Sequence, residues 1–250
     1  MVEQKKIGNI KVMICQDREE VAQEGAKIFA KSIKEKQNII LGLATGGTPV
    51  GMYQELIRMH KEAGLDFSRA VSFNLDEYMG LSGDHSQSYR RFMDDNLFSH
   101  INIDKEKTYV PSGIAEDVPA SCQKYEEDIK AHGGVDLQVL GIGSNGHIAF
   151  NEPGSLPGSR TRAVNLTEKT IKDNARFFEN ESEVPQKAVT MGIATILEAK
   201  KIVLLATGSN KAEVITKAIK NPITTNIPAS FLQNHPDCVF IVDKEAAGRL

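Results

Sequence analysis

The sequence predicts an α/β fold, an open and mostly parallel sheet with helices on both faces. Three observations predict it. Short apolar, β-branched runs alternate with longer helical patterns along the chain. Several of these runs are apolar without alternation, as strands covered on both faces are. No repeat, low-complexity tract or Pro/Gly-rich linker divides the 250 residues, a length one α/β domain accommodates. The expected organisation is one domain spanning residues 1–250.

Asn9–Cys15 reads as the first strand and Arg18–Lys36 as a helix, with Asp17 as N-cap and Glu20 placed to complete a capping box. Asn38–Leu43 is the second strand. The helix Pro49–Ala63 follows it, with Thr48 as N-cap and Pro49 at the first helical position. Ala70–Leu75 is the third strand, and Ser88–Ser99 and Pro119–His132 have helical patterns. Asp136–Ile142, Lys201–Ala206 and Cys238–Val242 read as doubly covered strands, the last two separated by a helix from about Asn210 to Lys220. The arrangement is Rossmann-like.

Composition narrows the function. The net charge of −3 and the lack of a basic, aromatic-interleaved stripe argue against a nucleic-acid partner. No segment approaches the roughly 20 apolar residues that span a bilayer, and Met1–Asn9 is too polar for a signal peptide. Membrane contact is not expected, and the compartment is read as cytoplasmic. Cys15, Cys122 and Cys238 form no CxxC pair, so neither a zinc site nor a disulfide framework is expected.

In open parallel sheets, ligands bind beyond the carboxyl ends of strands. After Leu43 the chain reads Ala44–Thr45–Gly46–Gly47–Thr48–Pro49 and enters a helix. Glycines let backbone approach a ligand, and a helix N-terminus favours an anion. The loop is neither a Walker loop nor a GxGxxG fingerprint, so it suggests phosphate without a nucleotide. After Leu75 come Asp76 and Glu77. Their side chains diverge in extended backbone and do not share a proton; one of them turned into the cleft is a candidate base. After Ile142 comes Gly143–Ser144–Asn145–Gly146–His147, with Glu152 five residues beyond the histidine. This pairs a proton shuttle suited to neutral pH with a carboxylate that orients or charges it. No second His or Cys lies at metal-ligand spacing. Arg176 and Lys211 are cations able, with the Thr45–Thr48 loop, to clamp a dianionic phosphate.

These residues resemble the glucosamine-6-phosphate deaminase (isomerising) family. The matching strings are TGGTP at Thr45–Pro49, FNLDEYMGL at Phe73–Leu81, SYRRFM at Ser88–Met93, GHIAFNEPG at Gly146–Gly154, SRTR at Ser159–Arg162, ARFFEN at Ala175–Asn180 and GSNKA at Gly208–Ala212. The resemblance covers nearly the whole chain. It implies cofactor-free conversion of glucosamine 6-phosphate to fructose 6-phosphate and ammonia. His147, assisted by Glu152, would open the pyranose ring. Asp76 would move the proton from C2 to C1 through an enolamine. It puts the phosphate on Gly46, Gly47, Thr48, Arg176 and Lys211.

Two departures matter. Some members of that family have Asp where this chain has Asn145, so here a neutral group orients His147 and Glu152 is its only charged partner. Allosterically regulated members have a longer tail and a basic residue just after SRTR, whereas Ala163 and Val164 are apolar. Activation by N-acetylglucosamine 6-phosphate is therefore not expected. Residues 165–185, polar and helical in pattern, are expected to form a lid that carries Arg176. Whether Glu77 or Tyr89 reaches the substrate stays open, as does the choice between monomer and homo-oligomer. Two alternatives remain: a 6-phosphogluconolactonase-like hydrolase, which needs no C2 base, and a sugar-phosphate-binding sensor, which needs none of Asp76, His147 and Glu152 together.

Overall fold

The computed structural model describes residues 2–175, 178–180 and 183–250. Its main sheet has eight strands: β1 (Glu3–Ile7), β2 (Ile10–Cys15), β3 (Ile40–Leu43), β4 (Val71–Asn74), β6 (Thr108–Tyr109), β7 (Leu137–Leu140), β10 (Lys201–Ala206) and β11 (Cys238–Asp243). They lie in the order β1-β2-β11-β10-β7-β3-β4-β6. Only the β1–β2 hairpin is antiparallel; all other pairs in this sheet are parallel.

Six residues in a row are buried along β11. Successive strand side chains point to opposite faces, so both faces of the sheet are covered. The helices are α1 (Arg18–Glu35), α2 (Val50–Ala63), α3 (Tyr89–Asn96), α4 (Val118–Ala131), α5 (Glu168–Ala175), α6 (Ile193–Leu197) and α7 (Ala212–Lys220). Helices α1 and α2 pack on each other, and α1 lies against β10 and β11. Phe29 and Ile33 of α1, Tyr53 and Leu56 of α2, and Val203, Leu204, Phe240 and Ile241 of the sheet are almost wholly buried. Burying each such aliphatic or phenyl side chain stabilises the fold by about 1.5–3 kcal/mol.

The strand order fixes where a ligand can sit. From β3 the chain steps outward through β4 to β6, then returns to β7 on the other side of β3 and continues outward through β10 and β11. The reversal between β3 and β7 leaves a crevice at their carboxyl ends. The two strands sit close because Gly42 of β3 has no side chain. A Cβ there would stand 2.0 Å from Oε1 of Gln138 on β7.

A second sheet, not expected from the sequence, has the order β5-β9-β8 and is antiparallel. Its strands are β5 (Asp76–Tyr78), β9 (Lys187–Thr190) and β8 (Arg162–Asn165). Strand β1 was likewise unexpected, since Glu3–Ile7 is polar and mostly exposed.

Two capping expectations are corrected. Helix α2 starts at Val50 with Pro49 as its cap residue, and no side chain caps it. Thr48 thus lies one position outside the helix. At α1, Asp17 does accept the N–H of Glu20 at 2.9 Å, but the Glu20 carboxylate reaches back to the N–H of Gln16, at 2.6 Å, rather than to that of Asp17. Among the described residues, no helix is long and apolar enough to cross a membrane.

Candidate active site

A cavity of about 900 Å³ opens at the switch point. The loop after β3, the loop after β7, Asp76 at the start of β5, helix α5 and the turn before α7 all line it. It brings together Thr45, Gly46, Gly47, Thr48, Asp76, His147 and Lys211. Glu152 stands behind His147, and Arg176 lies outside the described residues.

The glycine loop is shaped from both ends. Gly46 has φ of 89°, a left-handed conformation that favours glycine. The Tyr53 hydroxyl on α2 donates to Ala44 O at 2.6 Å and accepts the Ala44 N–H at 3.2 Å, which pins the start of the loop. Arg18, at the start of α1, donates to Gly47 O at 2.7 Å and also lines the cavity. Opposite, Lys211 Nζ donates to Ile142 O at 2.7 Å. The turn before it is held by Asp243, whose carboxylate accepts the Gly208 N–H at 2.9 Å.

Asp76 and Glu77 are both buried, 6% and 2% exposed, so they are not a solvated turn. Their roles diverge. Glu77 accepts N–H groups of Tyr78 and Tyr89 at 2.8 Å and of Arg90 at 3.0 Å, which anchors the first turn of α3. These bonds occupy Glu77 structurally, whereas Asp76 and Tyr89 line the cavity. Burial, and then the charge of Glu77, push the Asp76 carboxyl up to about 8. A carboxylate this reluctant to ionise is a strong base once charged.

The β7 loop packs His147 tightly. A Cβ on Gly143 would lie 2.3–2.5 Å from the imidazole, so glycine is required there for steric reasons. Gly143 N–H donates to His147 O at 2.9 Å. Ala149 has φ of 50°, a left-handed conformation costing about 1–2 kcal/mol in a residue with a Cβ. The strain is held in place by the neighbouring Phe150 N–H bonded to Thr190 Oγ1 and by Asn151, whose amide donates to Ile148 O and Met191 O.

His147 Nδ1 lies 3.6 Å from Glu152 Oε2, within ion-pair range but longer than a hydrogen bond. Asn145 does not orient the imidazole as the sequence suggested. Its amide donates to Glu152 Oε2 at 2.7 Å, and its carbonyl oxygen accepts the His147 backbone N–H at 3.2 Å. It therefore fixes the carboxylate and the turn, and acts on the ring only through them. Burial works against the Glu152 charge, but His147 and the donors Thr170 and Asn145 outweigh it and hold the carboxyl down at about 2. Asp76 and Glu152 thus lie far apart in acidity, as two carboxylates with different duties do.

The sequence reading missed Arg18, Thr167 and Thr170. Arg18 had the signal of a cation opening a helix just after a strand. Thr167 sits one residue before α5 and accepts the Thr170 N–H at 3.2 Å, a capping pattern visible in LTEKT. Among the described residues, no three His, Cys, Asp or Glu side chains gather as a metal site requires.

This fold and site define a sugar-phosphate isomerase/lactonase class of α/β protein. The family model for glucosamine-6-phosphate isomerases/6-phosphogluconolactonase matches residues 16–240, and the chain belongs to that family. It is 57% identical over 238 residues to a glucosamine-6-phosphate deaminase of Thermoanaerobacter pseudethanolicus, covering 95% of this chain and 94% of that protein. A glucosamine-6-phosphate deaminase of Clostridium perfringens is 54% identical, with 95% and 98% covered. Among solved structures, a monomeric glucosamine-6-phosphate deaminase superposes with a TM-score of 0.94 at 47% identity, covering 96% of this chain and 99% of that one. A 6-phosphogluconolactonase from Trypanosoma cruzi has a TM-score of 0.76 at 23% identity, with 96% of each chain covered, a likeness of fold alone.

Proposed function

We propose that the protein is a glucosamine-6-phosphate deaminase, converting glucosamine 6-phosphate and water to fructose 6-phosphate and ammonia without a cofactor. The observation that carries this reading is the coexistence, around one cavity, of a buried high-pKa carboxylate at Asp76 and a separate His147–Glu152 pair. The reaction needs both. His147 moves a proton between the ring oxygen and O1 to open the pyranose, with Glu152, itself held by Asn145, setting its orientation and charge. Asp76 then takes the C2 proton and returns it to C1, giving an enolamine and then a C2 iminium. Water adds at C2 and ammonia leaves. Each well-placed acid or base contributes roughly 10²–10⁴-fold.

The phosphate rests on Thr45, Gly46, Gly47 and Thr48 with Lys211 and Arg176, and Arg18 adds charge at the rim. Fixing this remote dianion holds C1 and C2 over Asp76. Residues 165–185 act as the lid that presents Arg176.

Incubating the folded protein with glucosamine 6-phosphate alone yields ammonia and fructose 6-phosphate in equal amounts; no product overturns the reading. The lactonase alternative predicts that phosphogluconolactone is hydrolysed, and that Asp76→Asn retains full activity.

A further inference from the structure

Glu152 is held from two sides, and one side is the helix over the cavity. Its Oε2 takes the Asn145 amide at 2.7 Å, and its Oε1 takes the hydroxyls of Thr170, in a close contact, and of Thr167, at 3.3 Å. The single Thr167 hydroxyl proton lies within reach of both Glu152 Oε1 and Thr170 Oγ1, the latter 3.1 Å away, and Thr170 is only 3% exposed. Thr170 lies in the first turn of α5 and Thr167 one residue before it; Lys169, Thr170 and Asn174 of this helix line the cavity.

We infer that Thr170, braced by Thr167, is a positioning residue through which seating of α5 aims the Glu152 carboxylate at His147. The inference rests on the deaminase reading. Asn145 holds Oε2 and α5 holds Oε1, so the two ends together set the plane in which Oε2 faces His147 Nδ1. The last torsion of a carboxylate side chain is broad, so an oxygen held at one end only leaves that plane less well defined. Lifting α5 from the cavity removes both threonine donors together, so an open helix leaves Glu152 unaimed and ring opening slow. The hydroxyl is the needed chemistry: it donates to an anion without adding a charge that would compete with His147. Among the described residues, the titratable and charged groups nearby include His147 on the loop of Glu152, Arg162 of β8 across a second hollow that both line, and Lys169 beside Thr170 on α5.

The test compares Thr170→Val, of similar size, with Thr170→Ser. Valine lowers kcat about tenfold at nearly unchanged KM, the loss of one charge-assisted hydrogen bond that works in the reaction rather than in binding. Serine restores kcat. In parallel, NMR titration of the Glu152 side-chain carboxyl carbon, which needs no turnover, shows its midpoint about one pH unit higher in Thr170→Val than in the parent. A parent that makes no ammonia overturns the deaminase reading, and the NMR titration then still decides the positioning. A valine variant with parental kcat and parental midpoint, or a serine variant as impaired as valine, overturns the role of Thr170.

Discussion

The Tyr53 hydroxyl closes on both polar backbone groups of Ala44, donating to its carbonyl and accepting its N–H. The tyrosine is wholly buried, so one phenol ties helix α2 to the first residue of the glycine loop after β3.

Tyr53→Phe removes that tie and leaves two backbone groups to find other partners. The expected result is a loss of about 1–3 kcal/mol of stability, together with a several-fold higher KM for the sugar phosphate. Denaturant unfolding and steady-state kinetics check the two parts. A variant with parental KM shows that the loop keeps its shape without the tyrosine.

Asp76→Asn trades activity against stability. The folded carboxyl titrates at about 8 against 3.8 for the ordinary group, so between those values the native state holds a proton that the unfolded state does not. Stability contributed at this site is complete below pH 3.8 and falls as pH rises toward 8. Asparagine, which never ionises, escapes that loss. The variant is expected to be inactive yet more stable than the parent, with the gap wider at pH 8 than at pH 5. Equal unfolding midpoints at both pH values would contradict the buried, protonated carboxyl. In the parent, kcat/KM rises with pH up to about 8, because the free enzyme needs Asp76 charged.

Glu152→Gln keeps the shape and loses the charge. Glutamine has one acceptor oxygen, so it accepts from Asn145 or from Thr170 but not from both, and it no longer balances a protonated imidazole. A fall in kcat of roughly 10²-fold is expected from the loss of an oriented acid–base partner. The linkage has the opposite sign to that of Asp76. The folded carboxyl lies at about 2 against 4.5, so its stabilisation is present above pH 4.5 and lost as pH falls toward 2. Urea unfolding from pH 3 to 7 therefore shows a shallower acid decline in the variant.

Gly143→Ala drives a methyl group into the imidazole. The ring must turn away, since backbone bonds hold the loop on both sides. Activity is expected to fall at least about 10²-fold, with a far smaller loss of stability. An alanine variant of near-parental activity means that His147 works from a different rotamer.

Substrate saturation is expected to be hyperbolic and indifferent to N-acetylglucosamine 6-phosphate, given the apolar Ala163 and Val164 after Arg162. A sigmoidal curve straightened by that compound overturns this.

Much of the fold could be read in the sequence because its strands are long apolar runs. β10 and β11, at Lys201–Ala206 and Cys238–Asp243, announce themselves that way. The second sheet does not: DEY, RAVN and KAVT are too short and too polar to show a period. That His147 and Asp76 line one cavity could be anticipated because ligands in open sheets bind beyond strand ends at a switch point. The Thr170–Glu152 contact could not. It joins side chains 18 residues apart on a loop and a helix, a separation with no local signature. Pro49 misled for a related reason, since its ring permits the cap position as well as the first helical one.

The three-stranded ribbon β5-β9-β8 carries a mechanical consequence. Its first strand opens with Asp76, and its last ends at Asn165, two residues before Thr167. The Asp76 side of the cavity and the root of its α5 wall are thus edges of one small plate. A tilt of that plate alters the position of the α5 wall and the reach of Asp76 in the same movement. Amide hydrogens of Asp76–Tyr78 and Arg162–Asn165 should accordingly gain exchange protection together when a sugar phosphate fills the cavity.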